Sequence, residues 1–157
     1  DIPCQLETWE SWSEFKDFKD FDFVDEDKER GKIISSLRSL FADSKKIREV
    51  ISNILTNAIR YVQGKGVVAV RVFSSDGHIA FSCRANGIGI DPEEREKIFT
   101  KFYRGQRAAS LETSGTGVGL YIAKSIIEKS GGRMWFESAV GEGTTFYFTL
   151  PSAPAAQ

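Results

Sequence analysis

The chain has 157 residues, of which 41% are hydrophobic and 27% are charged, and its formal net charge is -1. This length suits one domain that buries roughly two thirds of the surface of its unfolded chain, and the balanced charge gives no reason to expect nucleic acid or a membrane surface as a partner. Cys4 and Cys83 are far apart and match no metal or redox spacing, so we expect free thiols. There is no signal-peptide pattern or membrane-spanning apolar run, and we expect a soluble cytoplasmic domain.

The N-terminal part is acidic and aromatic. Residues 1–30 contain eleven acidic and four basic residues, so their net charge is -7 and that of the remaining residues is +6, which suits a phosphate-bearing ligand. Aromatic residues recur every third position, which predicts a helix with one aromatic face: Trp9, Trp12, Phe15 and Phe18. We interpret that face as core rather than as a docking surface for a partner, and we predict short strands at "FDFV" and "LRSLFA".

A long amphipathic helix is predicted from Asp43 or Ser44 onward, because apolar residues then recur at steps of three and one. Asn53 and Asn57 are one turn apart on its polar face, and Arg60 continues that face. Carboxamide oxygens are suitable Mg²⁺ ligands, and arginine binds phosphate oxygens. Without further motifs, two such asparagines are more often simply solvated.

The next segments predict a hairpin and a glycine loop. "VVAVRVF" and "HIAFSCR" are strands separated by the turn "SSDG". Gly87 and Gly89 follow the second strand and allow close backbone approach to a ligand. Asp91 and Pro92 then begin a predicted helix, and residues 101–114 form a polar, basic stretch without clear periodicity.

A second glycine loop, "SGTGVGL", opens a helix that ends at "GG". Its glycine spacing fits neither the P-loop nor the dinucleotide fingerprint. "RMWFESA" and "GTTFYFTL" then predict a closing hairpin, and residues 151–157 are expected to be a disordered tail.

Five segments together resemble the ATP-binding catalytic domain of sensor histidine kinases, in the superfamily that includes gyrase-type topoisomerases, heat-shock chaperones and mismatch-repair ATPases. "EVISNILTNAIRY", "ANGIGI", "IFTKFYR" and "GTGVGL" are similar to its N, G1, F and G2 boxes, and "GGRMWFESAVGEGTTFYFTLP" to its closing hairpin. The resemblance runs from about Ser36 to Leu150. It implies an α+β, two-layer sandwich (Bergerat or GHKL fold) with a mixed five-stranded sheet, three helices on one face and a mobile ATP lid.

The same resemblance implies how the domain is divided. Residues 1–150 would form one domain, with an N-terminal helix and strands at 1–42, the N box at 47–61, the G1 box at 85–90, the lid at 91–114, the G2 box at 115–120 and the closing hairpin at 132–150.

The resemblance also implies ATP and Mg²⁺ as cofactors and gives residues their roles. Asn57 would be the Mg²⁺ ligand and Asn53 would lie on the phosphate side. Arg60 and Arg104 would contact phosphates during transfer, with Phe99 and Phe102 at the lid hinge. The other implied nucleotide contacts are Tyr61, Ala85, Gly87, Gly89, Ile90, Phe102, Gly115, Thr116, Gly117, Gly119, Leu120 and Thr145.

Ala85 departs from the family pattern, which has an aspartate that accepts a hydrogen bond from the adenine amino group. Loss of that buried acceptor is expected to weaken ATP binding by roughly ten- to a hundredfold and to relax selectivity for adenine. Asn86 could replace it, although its side chain should point to the opposite side of an extended backbone.

The function implied is that of a histidine kinase domain. Asn53 stands where ATP-hydrolysing members carry a glutamate base, which disfavours a topoisomerase-like ATPase. His78, the only histidine, lacks the acidic neighbour expected after a phosphoacceptor, so we interpret it as structural. The domain would therefore donate the γ-phosphate of ATP to a histidine on a separate dimerisation domain, impaired by Ala85 and unable to phosphorylate itself.

The partners that follow from this interpretation are that dimerisation domain and a downstream response regulator. The domain itself would be cytoplasmic, whether or not its parent protein is anchored in a membrane. The alternative is a pseudokinase or nucleotide-weak interaction module that contacts a dimerisation helix or a response regulator.

Overall fold

The computed structural model describes residues 44–62, 66–75, 78–111 and 113–151. The helix and strands predicted within residues 1–42, and the tail predicted beyond Pro151, lie outside the described residues. Within the described residues, no helix combines the length and the apolarity needed to cross a membrane.

In the part of the chain that the structure describes, the sheet consists of two antiparallel hairpins placed side by side. Its strands are β1 (Val68–Ser75), β2 (His78–Ala85), β3 (Arg133–Ala139) and β4 (Gly143–Pro151), in the order β1-β2-β4-β3. Both predicted hairpins are confirmed, and Pro151 belongs to β4 rather than to a tail. All three strand pairs in the described residues are antiparallel, and a fifth strand of the implied mixed sheet would have to lie outside these residues.

Among the described residues, two helices cover one face of this sheet. The predicted long helix is confirmed as α1 (Ser44–Arg60), and the second as α3 (Gly119–Lys129), which packs beside α1. Their apolar positions meet the inward side chains of β2 and β4, where the Phe81 and Phe148 rings stack with centroids 4.6 Å apart. Each fully buried side chain of this kind contributes about 1.5–3 kcal/mol. The helical part of this core is Ile47, Val50, Ile54, Ala58, Ala123 and Ile127.

The segment between the hairpin and α3 differs from the prediction. Instead of a regular helix from Pro92 there is a single 3-10 turn, Pro92–Glu94, followed by further turns. Its backbone bonds span three residues, as from the Lys97 amide to the Glu94 carbonyl, and so short an amphipathic segment cannot hold a long helix by itself. A short helix, α2 (Gln106–Leu111), lies in the stretch predicted to be irregular.

Candidate functional site

A cavity of about 300 Å³ opens between α1, the loop after β2, the segment around α2 and the start of α3. Its volume is in the range of small-molecule sites. Apart from Phe102 and Thr145, every cofactor-binding residue that the resemblance implied lines this one cavity. The fold thus brings four separated motifs to a single place.

The two asparagines of α1 line the cavity in different ways. The Asn53 amide donates a hydrogen bond to the Gly119 carbonyl over 3.2 Å, which ties α1 to the start of α3. No hydrogen bond within the described ranges engages the half-buried side chain of Asn57. The carboxamide of Asn57 is therefore the better placed of the two to meet a ligand in the cavity.

The cavity has the donors for a Mg²⁺ ion that is shared with a ligand. The described residues contain no group of three or more acidic, histidine or cysteine side chains that could hold a metal alone. Mg²⁺ is commonly held by one or two protein oxygens together with phosphate oxygens and water. The Asn57 carboxamide oxygen fits that arrangement.

The glycine loop after β2 fits closely between two other backbone segments. The Ile88 amide donates to the Tyr61 carbonyl over 3.2 Å, and a Cβ on Gly87 would collide with that same oxygen. Gly89 has φ +69°, and its Cβ would collide with the Ala139 carbonyl at the end of β3. Both glycines are thus required by protein packing, in addition to the ligand approach that the sequence suggested.

The apolar end of the cavity lies where β2 and β4 pair. Ala85 is buried there, directly opposite Thr144 in the strand register, with Phe146 beside them. Thr145 pairs with Arg84, so its side chain lies on the other face of the sheet. Thr145 therefore does not line this cavity, and Thr144 occupies that position.

The polar side chains around Ala85 are engaged by the protein. The Thr144 hydroxyl is 2.8 Å from the Ser138 hydroxyl, which also accepts the Ile90 amide hydrogen over 2.9 Å. The Asn86 side-chain oxygen accepts the Val67 amide hydrogen over 2.7 Å, and Asn86 does not line the cavity. Asn86 is thus turned away from the place that an adenine partner would need.

The three lid residues singled out in the sequence, Phe99, Phe102 and Arg104, have different surroundings. The Phe99 ring packs edge-on against Phe136 and Phe146, with centroids 5.7 and 6.5 Å apart. Phe102 is 68% exposed with φ +67° and does not line the cavity. Arg104 lines the cavity, and its guanidinium donates to the Thr113 carbonyl over 3.2 Å.

Several lining residues were not predicted. Apolar lining residues such as Ile98 cannot be distinguished from core residues in a sequence. Glu94 lies in a run of charged residues, which usually indicates solvated surface. Arg107 was missed because nothing in the sequence shows that α2 folds back over the cavity. The complete additional set is Thr56, Ala58, Ile88, Glu94, Ile98, Tyr103, Gly105, Arg107, Ala108, Thr144 and Phe146.

The lining divides the cavity into an apolar part and a polar part. The apolar part could enclose a flat ring, and it consists of Ala85, Ile90, Ile98, Leu120 and Phe146. The polar part includes the Glu94 carboxylate but is dominated by two carboxamides and three guanidinium groups, which suits a polyanion: Asn53, Asn57, Arg60, Arg104 and Arg107. A ligand with an aromatic end and a phosphate end would match both.

Comparison with known proteins agrees with this geometry. Residues 42–154 match the family described as histidine kinase-, DNA gyrase B-, and HSP90-like ATPase. The chain is 40% identical over 111 residues to the sensor histidine kinase WalK of Bacillus subtilis, a match that covers 69% of this chain and 18% of that protein. It is 37% identical over 118 residues to the sensor protein kinase WalK of Staphylococcus epidermidis, covering 73% and 19%.

Solved structures show the same relationship. The mycobacterial sensor histidine kinase MprB superposes with a TM-score of 0.66 at 31% identity, over 73% of this chain and 78% of that one. Full-length ShkA in complex with AMPPNP superposes with a TM-score of 0.62 at 29% identity, over 75% and 24%. The chain therefore spans less than a fifth of the two WalK proteins and about a quarter of full-length ShkA.

Proposed function

The chain belongs to the family of histidine kinase-, DNA gyrase B- and HSP90-like ATPases, as a catalytic domain of the sensor histidine kinase type, and from this we propose that it binds ATP with Mg²⁺ and donates the γ-phosphate to a histidine outside this chain. The main observation that supports this proposal is a cavity in which an apolar pocket adjoins a surface of carboxamide and arginine side chains. The two WalK relatives extend well beyond the matched segment, and we propose that the phosphoacceptor lies outside this chain.

Each part of the cavity has a task in this proposal. The apolar pocket around Phe146 and Leu120 holds the base, and the glycine loop closes one side of it. Arg60 and Arg104 bind phosphate oxygens and stabilise the charge that spreads over them during transfer. Asn57 holds Mg²⁺, which when bound neutralises part of the triphosphate charge.

The parent phosphoacceptor is not His78 in this proposal. His78 begins β2 and does not line the cavity, and it is the only histidine of the chain. The receiving histidine would belong to a dimerisation domain, with a response regulator as the later acceptor. Because ATP is supplied in the cytoplasm, we place this domain on the cytoplasmic side of its parent.

We further propose that Ala85 weakens the binding of adenine. Glu94 is the only carboxylate among the described lining residues, and it lies on the lid side rather than beside Ala85. The Thr144 hydroxyl is engaged by Ser138, and Asn86 is turned toward β1. A missing charged acceptor corresponds to a loss of about 1.5–3 kcal/mol, or roughly ten- to a hundredfold in affinity.

The proposed effect of Ala85 is tested by calorimetry, in which ATP or GTP is titrated, in the presence of Mg²⁺, into the original chain and into Ala85→Asp. We expect weak binding with little preference in the original chain, and a gain of at least about tenfold for ATP alone in Ala85→Asp. Ala139→Asp adds the same charge at an exposed position outside the cavity and should change neither affinity. Equal ATP affinities in the chain and in Ala85→Asp would show that the base does not bind at this end.

An interaction module without nucleotide binding is the second candidate, and Ala85 is the observation that favours it. In that case neither nucleotide would bind at millimolar concentration, in the chain or in Ala85→Asp. The domain would then serve by contacting a dimerisation helix or a response regulator.

A further inference from the structure

We propose that Glu94 is a positioning residue that fixes the base of the lid, so that Arg104 is directed at the terminal phosphate of the bound nucleotide. The inference rests on the proposed function, because it concerns how the same cavity distinguishes a triphosphate from a diphosphate. Glu94 itself acts through the backbone on either side of Arg104.

The Glu94 carboxylate contacts the residues that flank Arg104. One oxygen accepts the Gln106 amide hydrogen over 2.8 Å. The other lies against Gly105, where an added Cβ would be 2.6 Å from it. Burial, together with the nearby Glu94 carboxylate, raises the pKa of the Tyr103 hydroxyl. Glu94 therefore lies against residues on both sides of Arg104 in the sequence, at positions 103, 105 and 106.

Arg104 is held at its tip as well as at its base. Its guanidinium donates to the Thr113 carbonyl over 3.2 Å and passes Gly115, where a Cβ would be 3.3 Å from Nε. Arg104 thus spans the lid from the Glu94 contacts to the second glycine loop. Removing the carboxylate would free the backbone at 103–106 and let the guanidinium sample positions away from the cavity, which costs ordering entropy when a phosphate binds.

A second, weaker contact holds α2, the short helix that begins at Gln106. The Arg107 guanidinium lies 3.0 Å from the Asp91 carboxylate, with side-chain exposures of 51% and 33%. An ion pair this exposed contributes little to stability because water screens it. Glu94 accepts a charge-assisted hydrogen bond directly from the Gln106 backbone amide, so we expect it to order the lid more than Asp91 does.

The test compares Glu94→Ala and Glu94→Gln with Glu93→Ala, whose exposed side chain belongs to the same 3-10 turn and does not line the cavity. Affinities for ATP and ADP are measured with Mg²⁺. We expect Glu94→Ala to weaken ATP about fivefold, equivalent to about 1 kcal/mol, and ADP less than about twofold. Glu94→Gln should retain most of the preference for ATP over ADP because its amide oxygen still accepts hydrogen bonds. Glu93→Ala should match the original chain.

A double-mutant cycle with Arg104→Ala identifies the mechanism. If Glu94 acts by directing Arg104, Glu94→Ala has no further effect on the ratio of ATP to ADP affinity once Arg104 is gone. Additive effects would overturn the inference, as would an unchanged ratio in a folded Glu94→Ala. If Glu94→Ala does not fold, Tyr103→Phe, which removes only the hydroxyl beside Glu94, should lower the same ratio, and an unchanged ratio in Tyr103→Phe would overturn the inference.

Hydrogen exchange without nucleotide separates this inference from the proposed function. The Gln106 amide should exchange faster in Glu94→Ala than in Glu93→Ala, because its acceptor is missing. Equal exchange would overturn the inference whether or not ATP binds. Faster exchange in a chain that binds neither nucleotide would overturn the proposed function and the phosphate role of Glu94, while leaving its contact with the lid in place.

Discussion

Replacing Gly89 by alanine should destabilise the chain much more than replacing Gly141, although both glycines have positive φ angles, +69° and +79°. A left-handed conformation costs an alanine about 1–2 kcal/mol at either position. At Gly141 an added Cβ meets nothing within 4 Å, so no further cost is expected. At Gly89 it would collide with the Ala139 carbonyl, and the loop would have to move.

That movement would break two hydrogen bonds that hold the glycine loop to the closing hairpin. These are the bonds from the Gly141 amide to the Ile88 carbonyl, 3.0 Å, and from the Ile90 amide to the Ser138 hydroxyl, 2.9 Å. At about 1 kcal/mol each, they bring the expected cost of Gly89→Ala to about 3–4 kcal/mol. For a chain of this size the unfolding temperature falls by about 2–4 °C per kcal/mol.

Thermal unfolding followed by circular dichroism measures both variants against the original chain. We expect Gly89→Ala to unfold about 10 °C lower and Gly141→Ala about 5 °C lower. The loss of unfolded-state freedom is the same for both substitutions and cancels in the comparison. Equal unfolding temperatures for the two variants would refute the close contact between the glycine loop and the hairpin.

Three further predictions concern titration, reactivity and packing. Burial raises the pKa of Glu137 against the opposing effect of the Tyr147 hydroxyl that donates to it. Just above the usual carboxyl pKa, the folded chain therefore binds more protons than the unfolded chain, and its stability should fall as pH rises through this window. Glu137→Gln should raise the unfolding temperature more at neutral pH than near pH 4. An equal rise at both pH values would contradict this expectation. Burial raises the pKa of Cys83 to about 12, so iodoacetamide at pH 8 should label it only after unfolding, as mass spectrometry of its peptide would show. Asn53→Ala removes the bond to Gly119 and should lower the unfolding temperature by about 3 °C, at a cost of about 1 kcal/mol; no change would mean that this bond does not join α1 to α3.

The elements with one clear periodicity were predictable from the sequence. The helix from Ser44 was found because its apolar positions form one continuous face, and the hairpins because turn residues separate runs of strand-forming residues. The residues of the cavity followed from motif resemblance, since the asparagines and glycines alone were too common to identify a site.

The choice between Thr144 and Thr145 could not be made from the sequence. Strand β4 is buried along nearly its whole length, so "TTFYFT" shows no alternation of apolar and polar residues that would reveal which threonine faces the helices. Only the register with β2, which pairs Thr144 with Ala85, decides the question.

The position of Glu94 was equally hidden. In "DPEEREK" it is one acid among several, and such runs usually form solvated surface. Its contacts come from the way α2 returns over the 3-10 turn, which depends on the Gln106 amide and on tertiary structure rather than on a local pattern.

The dependence of ATP binding on Mg²⁺ in the original chain and in Asn57→Ala is the most direct test of the proposed activity. We expect Mg²⁺ to strengthen ATP binding by the original chain and by Ser52→Ala, an exposed substitution on the same helix outside the cavity. In Asn57→Ala that strengthening should be lost while the unfolding temperature stays the same. An identical Mg²⁺ dependence in all three proteins would contradict the assignment of this cavity as the ATP and Mg²⁺ site.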